Sequence, residues 1–274
     1  MSKIPTDLAR HALNGPTMGT RWSALFHAPA ATDAEPIKSA LAASVDVVDC
    51  QMSSWKPDSD LMRLNRAPIS TWLPVPGELM EVLAKGLEIG RHSDGAFDIG
   101  MGDVVAAWGF GPKEADPKAI RTALGKARPP AHERLELDPD ALQARKLAPL
   151  TLDLSGIAKG YAVDRMMAVL GSFGITDALV GLDGEMRACG ARPDGQAWTV
   201  AVERPDYEAR VPMSIIELTD SAVATSGDYR PWATALMVSG RRKGAILAAK
   251  NGLTAFYIHR DGGNLQKTHI GRSN

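Results

Sequence analysis

Between Leu150 and Leu170 the apolar period of the chain changes from two to about 3.6 within a few residues. Leu150, Leu152 and Leu154 alternate, as on a strand with one buried face. Val163, Met166, Met167 and Leu170 then share one helical face, where the methionines read as core, and Gly174 ends the helix. The joint between the two periods, DLSGIAKGYAVD at 153–164, puts Ser155, Gly156, Lys159 and Gly160 at a helix start, with Asp153 and Asp164 on either side. Unpaired N–H groups and the positive end of the helix dipole make such a start a seat for phosphate. Small residues let a ligand approach the main chain, and Lys159 adds a mobile cation. The segment matches neither GxGxxG nor GxxxxGK(S/T), and alone it reads equally as a tight turn with a solvated lysine.

The rest of the chain interleaves strands and helices. Residues 17–28 read as a strand entered through an Asn14-Gly15-Pro16 turn. A helix from about Asp33 carries an apolar stripe of Ile37, Leu41, Val45, Val48 and Met52. Pro57 and the Asp58-Ser59-Asp60 cluster mark a turn, and a second helix from about Pro76 carries Leu79, Leu83 and Leu87. A helix over Pro117–Lys126 is followed by exposed connections to about residue 148. Asp183-Gly184 joins two short strands as a hairpin; 198–203 and 213–218 supply further strands, and a helix over 234–250 closes the chain. No internal repeat or low-complexity tract is present. The expected class is α+β (mixed α/β), one domain of two packed lobes of mixed sheets flanked by helices.

Composition excludes several classes. The 274 residues carry a net charge of −1, which gives no electrostatic reason to expect nucleic acid as a partner. Cys50 and Cys189 lack metal-site spacing; buried thiols are the expectation, with a disulfide the alternative in an exported protein. No apolar run reaches the ~20 residues that span a bilayer. The start, MSKIPTDLARHALNGPTMGT, has no apolar signal core, so the protein either works where it is made or has had an export segment removed.

Two further glycine-rich or polar segments stand out: SDGAFDIGMGDVVAAWGFG at 93–111, built around Asp98 and Asp103, and TSGDY at 225–229. With MGT at 18–20, MSSWKPDSDLMRLN at 52–65, DLSGIAKGYAVD at 153–164, LVGLDGEMRACG at 179–190 and ATALMVSG at 233–240, they resemble the FAD:protein FMN transferases of the ApbE type. The resemblance covers nearly the whole chain in family order. It implies an enzyme that binds FAD, cleaves its pyrophosphate and attaches FMN through a phosphoester to a threonine of a target flavoprotein, using Mg²⁺. FAD hydrolysis to FMN and AMP, and non-catalytic FAD binding, are the alternatives.

Carried over by position, the resemblance implies that Met18, Trp55, Ala96, Phe97, Asp98, Asp153 and Lys159 contact the flavin nucleotide, with Trp55 stacking on a ring. Lys159, nearest the phosphates, and Asp98 are the residues expected to act in the chemistry. The Gly156 carbonyl and Thr234 hydroxyl match two metal ligands, both hard oxygen donors suited to magnesium. Family relatives work in the periplasm or attached to the inner membrane, which implies membrane association through the target or a removed lipid anchor.

One departure stands out. After TSGDY the family continues with a segment like HIIDPRTG and then an aspartate four residues before the metal-binding threonine. Here that position is Arg230, which cannot coordinate magnesium, and the segment's histidine is absent. Either the loop is deleted, or about forty mobile residues between Arg230 and Pro231 are missing from consecutive numbering; the second is the expectation.

Overall fold

Ile37, Leu41, Val45, Val48 and Met52 recur at four- and three-residue steps, and all five are buried on the 19-residue helix they define. The computed structural model describes residues 8–112, 114–125, 128–203, 212–224, 231–261 and 264–270. In chain order the first elements are β1 (Leu8–Thr17), β2 (Thr20–Pro29), α1 (Ala34–Met52), α2 (Asp60–Arg66), β3 (Leu73–Pro74) and α3 (Gly77–His92). Next come α4 (Gly102–Ala107), α5 (Pro117–Leu124), α6 (Ala131–Arg134), β4 (Leu135–Asp138), β5 (Gln143–Lys146) and α7 (Ser155–Ser172). The last are β6 (Ala178–Leu182), β7 (Glu185–Cys189), β8 (Trp198–Glu203), β9 (Pro212–Leu218), β10 (Ala222–Ala224), α8 (Pro231–Lys250), β11 (Ala255–Asp261) and β12 (Asn264–Ile270). The fold is α+β. Every described strand pairing is antiparallel, in place of the mixed sheets expected.

The chain divides into two compact units, Met1–Asp49 with Lys159–Thr225, and Cys50–Ala158 with Ser226–Asn274. The first is built on a five-stranded sheet ordered β1-β2-β6-β7-β10. The Asn14-Gly15-Pro16 turn expected from sequence does not form. β1 runs through it, and Gly15 is there because a Cβ would lie 2.7 Å from the buried Trp22 indole nitrogen. Pro16 is tolerated because β1 is an edge strand. The turn comes instead at Met18-Gly19, with φ of 45° and 71°, closing a two-residue loop between Thr17 and Thr20. Asp183-Gly184, at 51° and 84°, forms the second such loop, as its sequence predicts. Trp198 of β8 packs with Leu179, Ala188 and Leu218, and its indole N–H donates to the Cys189 carbonyl.

In the second unit the alternating leucines are buried as expected, Leu150 at 6% exposure, Leu152 at 1% and Leu154 at 0%, but they form no ladder. Other groups satisfy their main chain. The Asn65 amide accepts from the Leu152 N–H at 2.7 Å and donates to the Leu152 carbonyl at 3.0 Å, imitating a strand partner. Asp153 N–H donates to Ile99, and Gly102 N–H to Thr151. Gly102 permits this approach, since a Cβ there would meet the Leu152 carbonyl oxygen at 2.8 Å. The exposed connections expected after α5 are ordered instead into α6 and a three-stranded sheet ordered β3-β5-β4, whose strands are too short to show a period. The buried Lys146 donates to the Asn65 carbonyl, and burial pushes its ammonium below the usual lysine range.

Three further expectations shift. Asp58-Ser59-Asp60 is a helix start, with the Ser59 hydroxyl accepting from Met62 N–H. α8 contains a non-helical Gly240, and it is followed by the β11–β12 hairpin rather than ending the fold. Cys50 is exposed and Cys189 half-buried, both free. The TSGDY motif and the Arg230–Pro231 junction lie outside the described residues. Among the described residues no helix is long and apolar enough to cross a membrane. Replacing Asn65 by Ala is expected to leave the Leu152 N–H and C=O unpaired and to lower stability by about 2–4 kcal/mol, measured from the urea midpoint.

Candidate active site

Helix α7 starts where Asp153 makes it start. The Asp153 carboxylate accepts from Ser155 N–H at 3.0 Å and from the Ser155 hydroxyl at 3.2 Å, capping the first turn. Burial pushes the Asp153 carboxyl above the usual carboxylate range, against the opposing pull of those two hydrogen bonds. Gly156 lies in the first turn of α7 and Lys159 one turn on, with open space beside Gly160.

In the first unit, Lys159 is paired. Its ammonium lies 2.5 Å from the Asp183 carboxylate at the tip of the β6–β7 loop. Trp22 of β2 pairs with Leu182, so the Met18-Gly19 and Asp183-Gly184 tips fall at the same end of the sheet. That end therefore gathers a strained methionine, a lysine and an aspartate. The DG pair marks Asp183 only as a turn residue, and nothing in its spacing shows that it faces a lysine from α7. A non-glycine residue at positive φ is disfavoured, and a β-turn of this type prefers Asn or Asp where Met18 stands.

In the second unit, the 96–98 and 153–156 segments are stitched together by the Asp153–Ile99 hydrogen bond. Phe97 is buried, its N–H bound by the buried Ser93 hydroxyl. Asp98 is engaged structurally, because its carboxylate accepts from Gly100 N–H at 2.8 Å and from Ala131 N–H at 3.2 Å and so fixes the start of α6. Trp55 is 61% exposed on a loop locked by Ser53, whose hydroxyl accepts from Trp55 N–H and whose carbonyl accepts from Ser59. Thr234 lies in the first turn of α8, which packs on α3. No described group of three or more His, Cys, Asp or Glu residues has the arrangement of a metal centre.

These features define an α+β protein with ligand-type groups at a capped helix start and at the end of an antiparallel sheet. The ApbE family model matches residues 18–255. The FAD:protein FMN transferase of Vibrio cholerae is 35% identical over 222 residues, covering 80% of this chain and 66% of that protein. The FAD:protein FMN transferase of Klebsiella pneumoniae is 31% identical over 223 residues, covering 80% and 64%. The chain thus spans about two thirds of the length of these curated relatives. The solved structure of the apo form of the Pseudomonas stutzeri flavinyl transferase ApbE matches with a TM-score of 0.84 at 29% identity, covering 98% of this chain and 96% of that one. The chain belongs to the ApbE family.

Because the folded Asp153 carboxyl is raised above its unfolded value, its contribution to stability is present at acid pH and is lost as pH rises through the folded pKa. An Asp153→Asn variant keeps an acceptor for Ser155 and has no charge to bury. It is expected to be more thermally stable than the parent at pH 7, with the difference vanishing toward pH 3; melting curves across that range check the sign.

Proposed function

We propose that this chain binds FAD and transfers its FMN portion to a threonine hydroxyl of a partner flavoprotein, releasing AMP. Family membership and the names of the relatives support the reading. The observation that carries it in this molecule is Lys159, held by Asp183 at the sheet end that Met18 also occupies. An ammonium one turn into a capped helix suits the oxygens of a diphosphate. On binding, Lys159 exchanges the Asp183 carboxylate for phosphate oxygens and steadies the charge that gathers as the bond to AMP breaks. The acceptor hydroxyl forms the new P–O bond, its proton leaves to solvent or the partner, and AMP departs with the bridging oxygen. The exposed Trp55 ring offers an aromatic face for the isoalloxazine.

Magnesium would supply charge neutralisation on the phosphates. Gly156 and Thr234 offer neutral hard oxygens, yet Arg230 stands where the family places a carboxylate, and no described acidic cluster replaces it. Among the described residues the donor set is incomplete for this ion. If Arg230 is bonded to Pro231, that same departure favours the second reading, an FAD-binding protein without turnover.

Incubation with FAD, Mg²⁺ and a threonine-bearing acceptor domain separates the readings. A covalent gain of one FMN on the acceptor supports transfer; free FMN and AMP beside an unmodified acceptor indicate hydrolysis, and intact FAD indicates binding alone. The intact mass of the chain tests the Arg230–Pro231 junction, since 29.2 kDa corresponds to the deletion and a mass several kilodaltons higher, about forty residues, to the omitted loop.

Lys159→Met is expected to weaken FAD binding about 10- to 100-fold by calorimetry. Asp183→Asn preserves a residue suited to the left-handed turn, so stability stays within about 0.5 kcal/mol. Loss of the competing carboxylate is expected to tighten FAD binding, and weaker binding would contradict the exchange.

A further inference from the structure

We propose that Asp183 is the general base of the transfer, taking the proton of the acceptor threonine hydroxyl on its way to solvent. The inference rests on the transfer reading above and gives a residue to a step that reading leaves to solvent or the partner. Asp183 stands at the tip of the β6–β7 loop, where its Oδ2 accepts from the Lys159 ammonium at 2.5 Å. The Leu182–Glu185 pair closes the loop, and Asp183 and Gly184 hold φ of 51° and 84°, so the backbone that carries the carboxylate is fixed. The Asp183 side chain is 49% exposed and that of Lys159 19%, so a ligand and a second protein can both reach the pair. That access is needed, because the hydroxyl arrives on the surface of another protein. When phosphate takes over the ammonium, the carboxylate oxygen that held it stays within about 5 Å of the phosphate oxygens. A hydroxyl oxygen in that interval meets the carboxylate at hydrogen-bond distance and phosphorus at near-attack distance.

Other bases of the first unit are placed less well. His11 of β1 and His27 of β2 lie six and seven residues from the strand ends Thr17 and Thr20, roughly 20 Å along the ladder. Glu185, beside the turn, is buried. Asp177 and Asp220 accept from Ala191 N–H and Gly190 N–H, past the opposite end of β7. Asp164 of α7 is held by Arg187 at 2.5 Å. The step balances with Asp183 in this role. The threonine O–H bond breaks, its proton passes to Asp183 Oδ2, and the threonine oxygen bonds to the FMN phosphorus. The bond from that phosphorus to the bridging oxygen breaks, and the oxygen leaves on AMP with the electron pair. As AMP departs, Asp183 gives the proton to solvent and pairs again with Lys159. Proton transfer to a positioned base contributes about 10²–10⁴-fold in rate.

The test is the single-turnover rate of FMN transfer to a threonine-bearing acceptor domain at saturating FAD and Mg²⁺, followed by acceptor mass, with FAD affinity measured separately by calorimetry. Asp183→Asn is expected to slow transfer about 100-fold while FAD binds at least as tightly as in the parent. Asp183→Gly suits the same left-handed turn and opens space beside Lys159. Added formate is expected to restore its rate about tenfold or more and to leave Asp183→Asn slow, a response that a merely structural role does not produce. Transfer within about threefold of the parent in both variants, or a slow Asp183→Gly that ignores formate, overturns the proposal and leaves the transfer reading standing. An acceptor left unmodified by the parent chain sinks the transfer reading itself, and this assignment with it.

Discussion

A single side-chain amide settles the path on which the second unit depends. Leu150, Leu152 and Leu154 are buried in a segment that belongs to no sheet, so the backbone groups there need partners from elsewhere. Asn65 supplies both for Leu152, and Ile99 and Gly102 supply those on either side. Because these bonds fix Asp153, they also fix where α7 begins, and hence where its first-turn amides point. The small β3-β5-β4 sheet and the buried Lys146 hold Asn65 from behind. A change at Asn65 therefore reaches the helix start without touching any group there.

Much of this architecture was legible in the sequence, and the limits have physical causes. The stripes of α1 and α3 and the Asp183-Gly184 turn follow from periodicity and turn chemistry, since one face of each helix is buried and DG favours positive φ. The Met18-Gly19 turn was illegible because methionine is a poor residue for positive φ, while Asn14-Gly15-Pro16 carries a turn signal that packing against Trp22 overrides. Strands of two to four residues, as in β3, β4 and β5, are too short for any period to register. β11 and β12 follow a helix whose Asn251-Gly252 end carries the signal of a chain-closing stop, and that signal hides them.

The candidate site was legible to a different degree. Its residue types came from the resemblance to the family, and the structure adds what each residue is doing. Asp98 ties Gly100 to Ala131, so its carboxylate is occupied by main-chain amides. Asp183 acquires a role through pairing across sheet and helix, a relation that local spacing does not encode. Ser53, Ser59 and Ser93 likewise shape the loops that present Trp55 and Phe97.

Three local features oppose folding at positions where ligand contacts are expected. Met18 sits at φ 45°, Trp55 leaves most of its ring surface in water, and Asp153 buries a carboxyl whose charged form burial disfavours. Backbone strain such as that at Met18 costs on the order of 1–3 kcal/mol and persists where surrounding structure over-determines it. The β1–β2 register supplies that constraint for Met18, the serine-locked loop for Trp55 and the Asn65 framework for Asp153. A sequence selected for stability alone would place Asn, a polar residue and Asn at these positions with the same backbone. At each of the three the side chain is one that the fold of its own unit does not call for.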